Sequence, residues 1–257
     1  GTDRFRLPGG RITSNPIIEA SAAPIITNGG GSGVIIDADN VFVSGITVDG
    51  AAASGIFTAD NENVFIDGVT VQNSNNANIS VQANSRDIEN VTVKNSLVEG
   101  SAMNSGIVIR TTNNSVINNV MISNNVSRDN RALGFQVRAD TGRIENIIYT
   151  NNFAANNGND GFSAIVRGDS SRIGAQYIGN ISDRNGTQSN VSNRGFRIEN
   201  ESGEGIDVTL RGNTASNNSG YGIAIINDSA NGVININGSL GSNNLYNNGS
   251  SLFFDPN

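Results

Sequence analysis

Apolar and polar residues alternate along this chain in short runs, each opening on a small residue and returning at a nearly fixed interval. The copies are Gly33-Val-Ile-Ile-Asp37, Gly55-Ile-Phe-Thr-Ala59, Asn78-Ile-Ser-Val-Gln82, Gly106-Ile-Val-Ile-Arg110, Gly134-Phe-Gln-Val-Arg138, Gly195-Phe-Arg-Ile-Glu199 and Gly222-Ile-Ala-Ile-Ile226, with a looser one at Ser163-Ala-Ile-Val-Arg167. Successive starts lie about two dozen residues apart, with one longer step. A period-2 pattern puts every second side chain on one face of a strand, so pairs such as Ile107 and Ile109, Phe135 and Val137, and Phe196 and Ile198 are predicted to point inward. A second short apolar run follows each copy: Val41 to Val48, Val64 to Val71, Ile88 to Val93, Val116 to Ile122, Ile144 to Tyr149, Ile173 to Ile178, Ile206 to Leu210 and Val233 to Ile236. The predicted unit is two strands and a turn-rich loop. Apolar spacing of three and four never persists long enough to predict a helix.

With 36% hydrophobic residues, one such unit cannot bury its own apolar face, so copies must stack and share a continuous core. About nine coils at the spacing of neighbouring strands give a rod on the order of 45 Å long. The chain carries 43 Asn and 31 Gly among 257 residues, and this surplus falls at the turns. Asn73, Asn95, Asn124, Asn151 and Asn180 recur at one phase after the second strand, with Asn213 shifted by about one residue. Asn tolerates left-handed backbone and its amide bonds neighbouring main chain, so these positions read as corner residues stacked into a ladder. Asn-x-Ser/Thr triplets such as Asn125-Val-Ser127 follow from the same composition. Residues 1–32, with Ile17-Ile18, Pro24 and Ile25-Ile26, read as an N-terminal cap or incomplete first coil, residues 33–240 as the solenoid, and residues 241–257 as a C-terminal cap in which Leu252, Phe253 and Phe254 plug the open end.

The chain has no Cys, no His and no Trp. That removes imidazole bases, thiolate nucleophiles and His/Cys zinc sites, and leaves carboxylates, Arg, Tyr, Ser/Thr and the single lysine, Lys94. The net charge of -7 argues against nucleic acid or an anionic membrane as a partner of the whole surface, and no run approaches the length of a membrane span. A chain opening at Gly1 without initiator Met or signal peptide reads as a mature or excised segment.

Against this acidic background, the fifth residue of the first strand runs Asp37, Ala59, Gln82, Arg110, Arg138, Arg167, Glu199 and Ile226. This phase faces outward, so three consecutive coils are expected to present Arg110, Arg138 and Arg167 side by side, with Arg197 displaced within the next copy and Gln82 and Gln136 on the same face. Like charges about 5 Å apart repel by roughly 1 kcal/mol even at the dielectric of water. An anionic ligand lying across the coils relieves that repulsion, and Arg suits bidentate recognition of carboxylate or sulfate. Local pairing is the alternative: Arg138-Ala-Asp140 and Arg167-Gly-Asp169 each bring an acid within reach, and Glu199 caps the row. A second stripe, Thr47, Thr70 and Thr92, is interrupted by Met121 and Ile148, and suits strand formation better than an ice-binding face.

The repeat from Gly33 to Asn237 resembles the right-handed parallel β-helix of pectate lyases, polygalacturonases, alginate epimerases, phage tailspikes and bacterial surface passenger domains. The resemblance implies an all-β solenoid and leaves the activity open. Polygalacturonase-like sites use an Asp-Asp pair and a Gly-His-Gly motif, both missing from this sequence. Alginate-epimerase-like sites resemble Tyr-Gly-Phe-Asp-Pro-His, of which Phe253-Phe254-Asp255-Pro256-Asn257 keeps only Phe-Asp-Pro. Pectate-lyase-like sites use an Arg or Lys base beside Ca²⁺ held by acids. For that scheme the base comes from Arg110, Arg138 or Arg167, with calcium as the one possible cofactor and Asp140, Asp160 and Asp169 as its candidate ligands. An Arg base demands burial or adjacent cations. Asn157-Gly-Asn159-Asp160-Gly161 is similar to part of a calcium loop but lacks the later Glu, and reads as an ordinary turn.

The sequence thus predicts a secreted or cell-surface β-helix module, an adhesin, stalk or passenger domain, that contacts anionic extracellular or host-surface glycans. The candidate ligand-binding residues are Gln82, Arg110, Gln136, Arg138, Arg167, Arg197 and Glu199, and no residue is a firm candidate for catalysis or for a metal. The alternative is a polysaccharide lyase or related carbohydrate-active enzyme working on uronic-acid polymers at the Arg face.

Overall fold

The computed structural model describes residues 10–12, 17–18, 25–27, 30–188 and 193–255. They wind into a right-handed parallel β-helix, with sheets of ten, nine and nine strands whose spatial neighbours are one coil apart in sequence. Each coil contributes one strand to each sheet: Ile107–Thr111 to the first, Ser115–Ser123 to the second and Val126–Arg128 to the third. All pairing is parallel, for example Ile107 with Phe135, Ile117 with Ile144 and Val126 with Phe153.

The coil therefore has three strands where the apolar pattern predicts two. The third strands are three residues long and turn a single side chain inward. In successive coils that residue is Val48, Val71, Val98, Ser127, Ala154, Ser182 and Ala215, all fully buried. One inward position, often Ser or Ala, leaves no alternation to read. In the early coils the second and third strands also fuse in the sequence pattern, because only the left-handed Gly45 (φ 63°) and Gly68 (φ 61°) break them.

The core is a column of aliphatics thickened at its centre by stacked rings. Phe135, Phe162 and Phe196 stack at 4.8 Å, Tyr149 and Tyr177 at 4.9 Å, and the two files meet edge to face. These distances match the strand spacing, so each coil places its ring on the one below. Both tyrosine hydroxyls are buried with no hydrogen-bond partner among the described residues, and burial pushes both phenols above their ordinary range. Tyr177→Phe keeps the stack and removes an uncompensated polar group, so it is expected to raise stability by about 1 kcal/mol. Thermal unfolding checks this, and a clear drop in melting temperature would show that the hydroxyl has a partner.

The small residue opening most first-sheet strands also has a cause. A Cβ on Gly134 would sit 2.6 Å from the Gly161 carbonyl and 2.9 Å from the Asn157 amide. Those amides belong to two buried ladders, Asn125–Asn152–Asn180–Asn213–Asn243 between the second and third sheets and Asn130–Asn157–Asn185–Asn218–Asn248 after the third. At each step an Oδ1 accepts from the backbone N–H and from the Nδ2 of the Asn one coil earlier, as Asn152 does from Asn125 at 3.0 and 3.1 Å. The single Asn phase of the sequence thus divides. Asn95, Asn124 and Asn151 are left-handed corner residues with φ of 51°, 55° and 53°. Asn180 and Asn213 are ladder rungs, preceded by Gly179 and Gly212 at the corner. Asn73 (φ 55°) turns the other corner, after the third sheet.

Two further expectations change. Thr47 and Thr70 are neighbours in the third sheet, whereas Thr92 lies in the second, opposite Phe65 and Met121, so the three do not form a stripe. Leu252, Phe253 and Phe254 do not plug the solenoid. They belong to Ser250–Asp255, the tenth strand of the first sheet, with Leu252 and Phe254 opposite Ile223 and Ile225 and 44% and 51% exposed. At the other end Gly10–Ile12, Ile17–Ile18 and Ile25–Thr27 each add a strand to one sheet, while Pro24 lies outside the described residues.

Candidate functional site

The outward face of the first sheet carries the predicted guanidinium row in altered form. Gln82 pairs with Arg110 and Arg110 with Arg138, as expected. The next position is Ile165, not Arg167, and Glu199 follows. That copy starts at Gly161 rather than Ser163, so Arg167 falls just past the strand. Arg197 stands in the parallel outward file of Gln136 and Ser163.

The charges are largely paired. Asp140 bridges two coils, accepting from Arg110 at 2.6 Å and from Arg138. Arg167 does not use Asp169. It donates from Nε and Nη2 to both oxygens of Glu201, each at 2.8 Å, which raises the proton affinity of its guanidinium, opposite to what a base requires. Glu199 pairs with Arg197 on its own strand rather than capping the row. Gln82 donates to Ser80 at 3.1 Å.

Between these files lies a groove of about 480 Å³. It crosses five strands, Ile79–Ala83, Ile107–Thr111, Phe135–Ala139, Phe162–Val166 and Phe196–Asn200, roughly 19 Å at the spacing of neighbouring strands. Its lining includes Gln82, Arg110, Gln136, Arg138, Arg167 and Arg197, together with the apolar Val108, Leu133 and Ile165 and two residues absent from the predicted row, Asp160 and Arg194.

Asp160 is 3% exposed, in the turn before the Phe162–Val166 strand. Its Oδ1 accepts the backbone N–H of Arg194 at 2.7 Å, and its Oδ2 is 4.0 Å from Nη1 of Arg197. Burial pushes its proton affinity up to about 6, against the opposing pull of Arg197 and Arg194. Arg194 is half-buried, and burial, reinforced by Arg197, holds its guanidinium below the ordinary arginine range while Asp160 acts the other way. The Nε groups of Arg194 and Arg197 are both buried without a hydrogen-bond partner among the described residues. Arg194, part-buried beside Arg197, meets the burial-and-cation condition set for an Arg base. It lies in the longest step between copies, directly before Gly195, where no alignment of repeats places it in a file. That longer step was the only signal.

The three calcium candidates do not converge. Asp140 is occupied by two guanidinium groups, Asp160 faces arginines, and the exposed Asp169 lines a separate depression with Glu201, Glu204 and Asp228. Among the described residues no three carboxylates stand close enough together to hold a cation. These residues do not fit a pectate-lyase-like Ca²⁺ site.

No protein-family profile matches the chain, and no curated protein matches it in sequence. Its similarity lies in solved structures. It is similar to the periplasmic alginate epimerase AlgG, with a TM-score of 0.58 and 15% identity over 89% of this chain and 55% of that one. It is similar also to pectate lyase Pel9A, with a TM-score of 0.53 and 13% identity over 95% of this chain and 67% of that one. The chain spans about half the length of the epimerase it matches. What the chain shares with both is the fold, a right-handed parallel β-helix.

Proposed function

We infer that this chain is a carbohydrate-active protein whose first-sheet groove takes an extended uronic-acid polysaccharide and removes the C5 proton of one sugar, as lyases and C5-epimerases do. The observation that carries this reading is the pair of buried, unpartnered Nε–H donors on Arg194 and Arg197 inside a groove. Buried donors are rarely left unmade, and neither Nε–H finds an acceptor among the described residues; a ligand carboxylate in the groove would supply one. Five guanidinium groups, of Arg110, Arg138, Arg167, Arg194 and Arg197, meet four carboxylates, of Asp140, Asp160, Glu199 and Glu201. The groove is thus net cationic in a chain of net charge -7. A uronate carboxylate held by guanidinium also stabilises negative charge developing at the adjacent C5. Neighbours in fold that act on uronic-acid polymers lend support.

A second reading, a non-catalytic glycan-binding module of a secreted or cell-surface rod, draws on a specific observation. Arg110, Arg138 and Arg167 are all engaged by acids, as on a smooth binding face. No helix among the described residues is long and apolar enough to cross a membrane.

The test is incubation with polymannuronate, polyguluronate and polygalacturonate, following unsaturated product by ultraviolet absorbance and C5 inversion by proton NMR. Turnover of at least one polymer is expected. Arg194→Ala should weaken binding of a uronate oligosaccharide about 10- to 100-fold, the loss of one charge-assisted hydrogen bond. Tight binding with no turnover on any polymer would favour the second reading.

A further inference from the structure

We propose that Asp160, not an arginine, is the base that removes the C5 proton in this groove. The proposal rests on the uronate reading above and names the group that does its chemistry. Asp160 lines the groove, and its two oxygens have different surroundings. Oδ1 is fixed by the backbone N–H of Arg194 at 2.7 Å. Oδ2 has Nη1 of Arg197 at 4.0 Å, beyond hydrogen-bond distance, and so keeps its lone pairs for a proton.

The groups facing Asp160 are Arg194 from the segment before the Phe196–Asn200 strand, and Arg197 and Glu199 from that strand. Arg194 in turn faces the Tyr221 phenol of the next coil. Arg197 and Arg194 are placed to hold the substrate carboxylate beside the carboxylate that attacks. Burial makes Asp160 a stronger base than an ordinary carboxylate, at about 6, close to the value at which a base is both ionised and effective near neutrality. The ordinary range of a guanidinium lies far above neutrality, so it serves better as the cation.

The step balances without a co-reactant. The C5–H proton passes to Oδ2 of Asp160, and the bonding pair stays on C5, stabilised by the adjacent carboxylate. In elimination that pair forms the C4–C5 double bond while the C4–O4 bond breaks and O4 takes a proton from water. In epimerisation C5 takes a proton from water on its other face. Asp160 then releases its proton to solvent.

Loss of the C5 hydrogen reads this step directly, as deuterium incorporated at C5 in D₂O where the sugar is epimerised and as unsaturated product where it is eliminated. Asp160→Asn retains an acceptor for the Arg194 N–H and so preserves the turn. It should lose C5 exchange and product together, by about 10²- to 10⁴-fold, while its affinity for a uronate tetrasaccharide stays within about threefold of wild type. The wild-type kcat/KM should rise with pH through about 6 and level off, because the base works ionised, and this limb should vanish from the residual activity of Asp160→Asn. Exchange that survives in Asp160→Asn but is lost in Arg194→Ala at saturating polymer would overturn the proposal, making Arg194 the base and leaving the uronate reading intact. A wild-type protein that neither binds nor exchanges any uronate polymer would instead overturn the reading on which the proposal rests.

Discussion

Phe162→Ala is expected to cost about 3–5 kcal/mol of folding stability, as large-to-small changes in a packed aromatic core do. Phe162 is 1% exposed and stacks at 4.8 Å on Phe135 below and on Phe196 above. It also meets Tyr149 and Tyr177 edge to face at 6.4 and 6.0 Å. Its removal opens a void between two rungs whose spacing is fixed by backbone pairing, so the neighbours cannot close it. A solenoid's stability is close to a sum over repeats and their interfaces, and this substitution strikes two interfaces at once. Urea unfolding should show the midpoint falling sharply. A loss below about 1 kcal/mol would mean that the coils can approach one another and that the column is not rigidly packed.

Asn152→Leu should cost about 2–5 kcal/mol, although the two side chains are nearly the same size. The Asn152 amide accepts from the Asn125 backbone N–H at 3.0 Å and donates to the Ile122 carbonyl at 2.8 Å and to Asn180 Oδ1 at 3.0 Å, at 1% exposure. Leucine orphans two buried main-chain groups, each worth about 1–3 kcal/mol when left unmade. Its neighbour supplies the control. Asn151 is an exposed corner residue at φ 53°, equivalent to Gly179 at φ 64° one coil on. Asn151→Gly should change stability by only a few tenths of a kcal/mol. Two adjacent asparagines with opposite sensitivities to substitution distinguish a structural ladder from a merely Asn-rich surface.

Most of the fold could be read from the sequence because a parallel coil repeats its inward positions. Ile107 with Ile109 and Phe135 with Val137 announce strands that stack, and the Asn surplus announces corners. The third strand stayed hidden because a three-residue element with one inward Ser127 or Ala154 leaves no periodicity. The site was half legible. Gln82, Arg110 and Arg138 fall in register because their copies have equal lengths. Arg167 falls out of register because its copy begins at Gly161, two residues before Ser163, and its partner Glu201 lies a coil away, where sequence spacing does not show it. Asp160 and Arg194 lie in turns outside any repeat phase, and their chemistry comes from burial and from each other. Neither property is written in residue spacing.

The most direct measurement is a crystal structure of Asp160→Asn bound to a uronate tetrasaccharide. Sugar density is expected across the strands between Gln82 and Arg197, with one carboxylate on the guanidinium groups of Arg194 and Arg197 and one C5 beside the side chain at position 160. Saccharide seated on the second or third sheet, or a groove left empty while the oligosaccharide binds elsewhere, would contradict this expectation.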